Sequence, residues 1–277
     1  MAGPIPNLEF VRAISQAGLD ILAKRSAITT LEFVTKDDES PVTHLDEELD
    51  ARLRLIVGEY FPQDEIISEE GKKSDPKTAK KKNIWWIDPI DGTKEFIKGG
   101  PEWVLQLAQS VEGVLTQAFL VYPAKNEVYY AARRQGTFVQ AIDKLLSPTS
   151  EGWAPQRLAV RQAPPEALIA IGSKSRSDAK EADFLSTLKV ENFIQRSSLG
   201  LKAAAIAWGE ADLYPNFSGL SHLWDLAAPQ LVLEEAGGAL VRAQAPDYTG
   251  HAETRIADSY VLCNAELAEQ IKTQLGF

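Results

Sequence analysis

The sequence contains only one cysteine, Cys263, among its 277 residues. A single cysteine excludes an intrachain disulfide and any metal cluster held by several thiolates. Because Cys263 lies near the end of the strand-like segment SYVLCN, we predict that it is a small buried apolar residue.

Histidine is also scarce, and the three residues of this type, His44, His222 and His251, are far apart in the chain. No HxxxH or CxxC spacing occurs, so the sequence does not predict a zinc site of that kind. The GxSxG motif is absent as well. A nucleophilic serine or cysteine mechanism is therefore disfavoured.

No apolar run approaches the ~20 residues needed to cross a bilayer, so we predict no membrane segment. The start, MAGPIPNLEF, lacks the basic and apolar regions of a secretory signal, and we expect a cytoplasmic protein. A net charge of −10 argues against nucleic acid or an anionic membrane as the main partner. An acidic protein that handles anions needs a local source of positive charge, which a bound metal ion would supply.

The stretch with the clearest chemistry is IWWIDPIDGTKEF at residues 84–96. Its apolar start leads into Asp88 and Asp91, and Gly92 and Thr93 follow before a segment compatible with a helix. This order predicts a strand, a tight turn and a helix start. The carboxylates can hold divalent cations, and free N–H groups at a helix start can hold phosphate oxygens. An isolated Asp-Gly pair is more often only a turn, so the interpretation depends on further acidic residues.

Apolar residues at helical spacing predict a first helix at residues 7–25 with Asn7 as its N-cap. A short strand at 31–35 and a second helix at 45–60 follow. The segment DEIISEEG at 64–71 predicts a strand that ends in two acidic residues.

The lysine-rich loop at 72–82 is either a solvated connection or a basic lid over an anionic ligand. Beyond the central stretch, segments at 104–121, 127–132 and 136–139 predict consecutive strands of an antiparallel sheet. Residues 143–156 have the composition of a linker.

Strand-like and helix-like segments alternate after about residue 160, which predicts an α/β half with a largely parallel sheet. We therefore divide the chain into an N-terminal α+β half at 1–160 and a C-terminal α/β half at 161–277. The first half would carry the antiparallel sheet and the main metal motif. A final helix is predicted from Ala265.

Three further acidic residues lie where a metal site would need them. Glu69 ends the strand-like IISEE, Asp46 lies just inside a predicted helix, and Asp225 opens the helix-like WDLAAPQLVLEEAGG. Alone, Asp225 is interpreted equally well as a helix N-cap or first-turn acid. Glu69 alone is better interpreted as a solvent-facing strand end. Clustered carboxylates repel one another unless cations lie between them, and an all-oxygen ligand set favours Mg²⁺ or Mn²⁺ over Zn²⁺.

Three segments resemble the motifs of the inositol monophosphatase superfamily of Mg²⁺-dependent, lithium-sensitive phosphatases: ISEEG at 67–71, DPIDGTKEF at 88–96 and WDLAAPQLVLEEAGG at 224–238. The resemblance extends over nearly the whole chain. It implies an α+β fold built as a layered αβαβα sandwich.

Within the superfamily, Thr-Lys-Glu-Phe after the Asp-Gly pair resembles the CysQ-type bisphosphate nucleotidases. The segments KDDESPVT at 36–43, GSKSRSDA at 172–179 and LKAAAIAWGEADLYP at 201–215 are similar to the same branch. SLGLK and Arg176 depart from its usual pattern, and both lie on the side expected to bind the nucleotide. The substrate is therefore the open question.

The resemblance implies a set of metal ligands: Glu69, Asp88, Asp91, Asp225 and the backbone carbonyl of Ile90. It implies a second set that contacts phosphate or substrate: Asp91, Gly92, Thr93, Ser173, Lys202 and Asp225. Asp46 would form a hydrogen bond with Thr93, and the pair would orient and help deprotonate the attacking water. Two to three Mg²⁺ ions or Mn²⁺, inhibition by Li⁺ and a homodimer are further expectations.

The expected reaction removes the 3′-phosphate of adenosine 3′,5′-bisphosphate through a metal-activated water, without a covalent enzyme intermediate, giving AMP and phosphate. The alternative substrates are inositol monophosphate and broader sugar phosphates, including fructose 1,6-bisphosphate. Lys94, Glu95 and Lys202 weigh against these alternatives. A non-catalytic sensor of metal and nucleotide would be favoured by a missing acid, and none is missing.

Overall fold

The computed structural model describes residues 6–36, 40–71, 82–147, 154–162, 167–174, 179–250 and 253–276. Most of the lysine-rich loop, Arg176 and His251 lie outside these ranges. The described residues form eight α-helices: α1 (Leu8–Ser26), α2 (His44–Tyr60), α3 (Thr93–Ile97), α4 (Ile142–Leu146), α5 (Ala179–Ser186), α6 (Leu199–Ala207), α7 (Leu223–Glu235) and α8 (Ala268–Leu275). None of them combines the length and the apolar character that a membrane span requires.

The first large sheet has seven strands, preceded in the chain by a small antiparallel pair, β1 (Val34–Thr35) and β2 (Pro41–Val42). Its strands lie in chain order: β3 (Glu65–Ser68), β4 (Asn83–Asp91), β5 (Val104–Val111), β6 (Val114–Tyr122), β7 (Glu127–Ala132), β8 (Gly136–Ala141) and β9 (Gln156–Leu158). In the described part of this sheet, β3 and β4 are the only neighbours that pair in parallel, so the predicted antiparallel sheet is confirmed. The segment predicted at 104–121 is two strands because the chain turns at Glu112 and Gly113, both with positive φ.

The second large sheet is formed by five described strands: β10 (Leu168–Ser173), β11 (Val190–Arg196), β12 (Leu213–Asn216), β14 (Gly238–Arg242) and β16 (Tyr260–Asn264). Their order across the sheet is β11, β10, β12, β16, β14. A separate pair joins β13 (Ser221–His222) to β15 (Arg255–Ile256). The prediction of a largely parallel sheet is wrong, because β16 is antiparallel to both of its neighbours. Parallel neighbours need a crossover connection, usually a helix, and no helix lies between β14 and β16 in the described residues.

The helices and sheets form five layers. Helices α1 and α2 cover one face of the seven-stranded sheet, where Phe10, Trp85 and Phe119 are part of a buried aromatic cluster. Helices α6 and α7 lie between the two sheets and contribute to the largest apolar cluster. Helix α8 packs against β14 and β16 on the outer face of the second sheet. This αβαβα arrangement is the predicted fold.

The structure confirms two local predictions from the sequence and leaves the domain division open. The side chain of Asn7 accepts a hydrogen bond from the backbone N–H of Phe10 at 3.2 Å, which confirms it as the N-cap of α1. Cys263 is fully buried in β16, as predicted. The two large sheets lie on either side of residue 160, but the cluster around α6 and α7 draws on both, so the division into two domains stays a prediction.

Candidate metal centre

Three carboxylates from different elements meet at one point. Glu69 directly follows β3, Asp88 lies in β4 and Asp225 lies in the first turn of α7. One oxygen from each lies within 4.8 Å of the others. Glu69 is held at this point because its backbone N–H donates to the carbonyl of Ile87 in the neighbouring strand at 3.0 Å.

Asp88 is the most enclosed of the three, with 2% of its surface exposed. Its Oδ2 accepts a hydrogen bond from Gln106 Nε2 at 3.2 Å, whereas its Oδ1 is buried and has no hydrogen-bond partner among the residues that the structure describes. Burial raises the pKa of Asp88 well above its usual range, and the negative charges of Glu69, Asp91 and Asp225 raise it further. A buried acid of this kind needs a positive charge nearby in order to ionise.

Asp225 has two roles at the start of α7. The backbone N–H of His222 donates to Asp225 Oδ2 at 2.7 Å, which is a helix-capping contact. Burial and the charge of Glu69 raise its pKa well above the usual range, and the bond from His222 opposes this increase. The carboxylate of Asp225 therefore caps the helix and also lies in the acidic cluster, so its capping role is compatible with metal binding, which stays a prediction.

Asp91 ends β4 and is held by the start of α6. Its Oδ2 accepts hydrogen bonds from Ser198 Oγ at 2.5 Å and from the backbone N–H of Gly200 at 2.7 Å. Burial raises the pKa of Asp91, and these two bonds oppose the increase. Asp91 is near enough to Asp88 and Asp225 for its charge to raise the pKa of both.

Asp46 and Thr93 lie beside this cluster. Asp46 Oδ2 accepts from the backbone N–H and the hydroxyl of Thr43, at 3.0 and 2.5 Å, in a capping box that starts α2. This leaves Oδ1 to face Thr93 Oγ1 at 3.5 Å, although Thr93 donates more closely to the carbonyl of Ile90, at 2.9 Å. Burial raises the pKa of Asp46 to about 6.

The turn between β4 and α3 requires a glycine. Gly92 has φ of +103°, a conformation that L-residues other than glycine rarely adopt. A Cβ at this position would lie 2.8 Å from the backbone oxygen of Glu102. The absence of a side chain therefore lets the turn approach the loop before β5 and places Thr93 at the first position of α3.

A lysine supplies positive charge at the edge of the cluster. Lys36 Nζ lies 2.8 Å from Glu69 Oε1 and 2.5 Å from Glu70 Oε1. Burial works to lower the pKa of Lys36, but the two carboxylates more than offset it and raise the pKa. Burial and the charge of Glu69 raise the pKa of Glu70 to about 7. Sequence reasoning assigned no role to Lys36 or Glu70.

The remaining residues predicted to bind substrate lie in different elements and do not converge as the acids do. Lys202 is 2% exposed, and its ammonium lies 4.8 Å from the centre of the Tyr214 ring and 3.5 Å from the carbonyl of Ser197. Ser173 ends β10, and Lys174 next to it forms an ion pair with Glu102 at 3.0 Å. Lys94 is an exposed residue of α3.

The donors in this cluster fit a hard divalent cation. They are all carboxylate oxygens, and Asp88 also has a buried oxygen, Oδ1, for which the described part of the chain offers no hydrogen-bond partner. Mg²⁺ and Mn²⁺ prefer such oxygen ligands, and a cation would turn the mutual repulsion of the acids into binding energy. Glu69, Asp88 and Asp225 would hold the ion, with Asp91 as the adjacent acid.

Comparison with known proteins shows the family of this chain and solved structures with the same fold. The model of the inositol monophosphatase family matches residues 8–275. This chain is a member of that family. Proteins of the inositol monophosphatase family with solved structures have the same fold, among them CysQ from Bacteroides thetaiotaomicron, with a TM-score of 0.75 and 22% identity over 94% of this chain and 97% of that one.

Curated relatives of the family are similar at the sequence level without agreeing on a substrate. A 3′(2′),5′-bisphosphate nucleotidase CysQ from Salmonella typhimurium is 29% identical, covering 80% of this chain and 84% of the relative. A histidinol-phosphatase from Mycobacterium tuberculosis is 28% identical, covering 84% of this chain and 86% of the relative. The family is a phosphatase family, and these two relatives are about equally close.

Three residues at the site were missed by sequence reasoning besides Lys36 and Glu70. Ser198 and Gly200 hold Asp91, and Gln106 donates to Asp88. The segment SLGLK marked the position of Ser198 and Gly200, but only the fold brings it to the end of β4. Gln106 had a weak signal, as a polar residue in the apolar run WVLQLA.

Proposed function

We propose that this phosphatase hydrolyses phosphate monoesters with Mg²⁺, and that its substrate is adenosine 3′,5′-bisphosphate, which it converts to AMP and phosphate. The observation that carries the proposal is the convergence of Glu69, Asp88 and Asp225 within 4.8 Å, next to Asp91. When bound, Mg²⁺ would lower the pKa of water and screen the charge of the phosphate.

The protein residues have separable tasks in this proposal. Asp46 Oδ1 faces Thr93 Oγ1, so the pair would accept and hold the proton that the attacking water loses. The backbone turn at Gly92 and Thr93 would orient the phosphate. Lys202 lies close enough to Asp91 for its positive charge to lower the pKa of that acid.

The choice of adenosine 3′,5′-bisphosphate has support from the TKEF segment at 93–96, from Lys202 and from the CysQ relatives. Lys174 directly follows β10, and Arg196 ends the neighbouring β11. They form ion pairs with Glu102 and Glu210, and in this proposal they would exchange these carboxylates for a second phosphate group. Mg²⁺ as the metal, inhibition by Li⁺, a role in sulfur metabolism and a homodimer are parts of the same proposal.

Histidinol phosphate is the second candidate substrate, because histidinol-phosphatases are as similar to this chain as the CysQ relatives. Glu95 and Glu102 both approach the ammonium of Lys174, at 3.9 and 3.0 Å. The same two carboxylates could bind the ammonium group of an amino-alcohol phosphate.

A substrate panel separates these candidates. Phosphate release should be measured with Mg²⁺ for adenosine 3′,5′-bisphosphate, histidinol phosphate, inositol 1-phosphate and fructose 1,6-bisphosphate, each with and without Li⁺. A preference for the nucleotide of roughly tenfold in kcat/KM, about 1.4 kcal/mol, supports the proposed substrate. A preference for another ester replaces the substrate but keeps the metal site, and no release from any ester overturns the proposed activity.

A further inference from the structure

A buried glutamine, Gln106, contacts one acid of the cluster, Asp88. Gln106 lies in β5 directly opposite Asp88 of β4 and opposite Leu120 of β6. It is fully buried, as are Val104, Leu105 and Leu107 on the same strand. Burial of an unpaired amide costs free energy, so a glutamine in this apolar strand needs a specific contact.

That contact is with the most enclosed acid of the site. Gln106 Nε2 donates to Asp88 Oδ2 at 3.2 Å. Among the described residues, neither Asp88 Oδ1 nor Gln106 Oε1 has a hydrogen-bond partner, so the bond from Nε2 is the one hydrogen bond that the amide makes. Without a donor on one side, the two oxygens of a carboxylate would exchange by rotation. The amide therefore selects one orientation of Asp88 and leaves one oxygen available to a ligand.

The amide also extends toward the residues that hold Asp91. A Cβ at Gly200 would lie 3.2 Å from Gln106 Oε1 and 2.8 Å from Val104 Cγ2. Gly200 therefore has no room for a side chain above Gln106, and its backbone N–H can reach Asp91. One neutral side chain thus contacts Asp88 directly and packs beside Gly200, which holds Asp91. A neutral donor adds no charge to a cluster whose members already repel one another.

We propose that Gln106 is a positioning residue for the metal site, which fixes the Asp88 carboxylate so that Oδ1 binds the divalent cation. This inference depends on the proposed metal-dependent function. Partners of this kind behind a metal ligand typically change metal affinity by about 10–100-fold.

The test compares Gln106→Met with Gln109→Met. Methionine matches glutamine in length and removes the donor. Gln109 is the matched control, because it is also a buried glutamine of β5 but binds Asp64, Thr116 and Gln117 on the opposite side of the strand. Mn²⁺ binding without substrate is measured by electron paramagnetic resonance, folding by circular dichroism, and kcat and KM with the best ester of the panel.

We expect Gln106→Met to bind Mn²⁺ about 10–100-fold more weakly than wild type, and Gln109→Met to bind it with unchanged affinity. Gln106→Asn, which keeps the amide but is one methylene shorter, serves as the second variant and should show an intermediate loss. Wild-type Mn²⁺ affinity in a folded Gln106→Met or Gln106→Asn protein overturns the proposal. Wild-type protein that binds no Mn²⁺ overturns the proposed metal site itself, and the two failures are therefore distinguishable.

Discussion

Ser198 Oγ lies 2.5 Å from Asp91 Oδ2, and this hydrogen bond joins the start of α6 to the end of β4. Ser198 is also the N-cap of α6, because its Oγ accepts from the backbone N–H of Leu201 at 3.1 Å. One hydroxyl therefore caps the start of a helix in the second half and orients an acid in the first half. The site depends on how the two halves pack as well as on its own acids.

Ser198→Ala should affect both stability and catalysis. Loss of an N-cap costs about 1 kcal/mol, and loss of a partner behind a proposed metal ligand lowers activity by about 10–100-fold. Ser197→Ala is the control, because Ser197 donates to Glu102 through its backbone N–H, which alanine keeps. Chemical denaturation and kcat/KM measure the two effects, and equal activity of the two variants would contradict the role given to Ser198.

Asp91→Asn should abolish turnover and leave the fold intact. The asparagine oxygen can still accept from Ser198 and Gly200, so α6 should stay in place. The lost negative charge would remove several kcal/mol of metal-dependent transition-state stabilisation, which is a rate loss of 10²-fold or more. Normal turnover by a folded Asp91→Asn protein would disprove the assignment of Asp91 to the metal site.

Asp88→Asn should remove the effect of Mg²⁺ on thermal stability. At a Mg²⁺ concentration of 100 times Kd, wild type gains about 2.7 kcal/mol, which corresponds to an increase in Tm of about 5–10 °C. The variant should show no such increase. Its metal-free Tm should be at or above that of metal-free wild type, because asparagine is already neutral, whereas burial and the charges of Glu69, Asp91 and Asp225 make an ionised Asp88 unfavourable in the folded protein. Differential scanning calorimetry with EDTA or Mg²⁺ measures both, with the exposed Glu59→Gln as control.

The sequence predicted the parts of the fold that depend on local patterns. Asn7 marked the start of α1, and strand-like, β-favouring segments marked the strands of the first sheet, because capping and strand propensity act over a few residues. The direction of β16 could not be predicted in this way. The direction of β16 depends on which strands become its neighbours, here β12 and β14, and the residues of β16 alone do not name these neighbours.

The same distinction applies to the candidate site. The acids Glu69, Asp88, Asp91 and Asp225 were predicted from their motifs, because each motif is a continuous segment that can be recognised in the sequence. Ser198 lies 107 residues from Asp91, and no periodicity links the two positions. Contacts between distant segments appear only when the layers pack.

Arg25 should be needed for the position of the turn that carries Thr93. Its guanidinium is buried and donates to the carbonyls of Phe96 and Ile97 at the end of α3, at 2.7 and 2.8 Å, and to Ile28 at 2.8 Å. Arg25→Met leaves these carbonyls without that donor, and we expect a loss of about 2–4 kcal/mol in the free energy of unfolding. Arg12→Met, with one backbone bond to Leu145, should lose less. Equal losses in urea denaturation would contradict this role of Arg25.

Cys263 should be unreactive in the folded protein and reactive once it unfolds. The side chain is fully buried in β16, and burial raises the pKa of its thiol to about 12. Because only the thiolate reacts, the folded protein should be alkylated by iodoacetamide at pH 8 about 10³-fold more slowly than a free thiol. Labelling in native buffer and in urea, followed by mass spectrometry, measures the difference. As Cys263 is the only cysteine, one added label reports global unfolding directly, whereas fast labelling in native buffer would show that β16 opens locally.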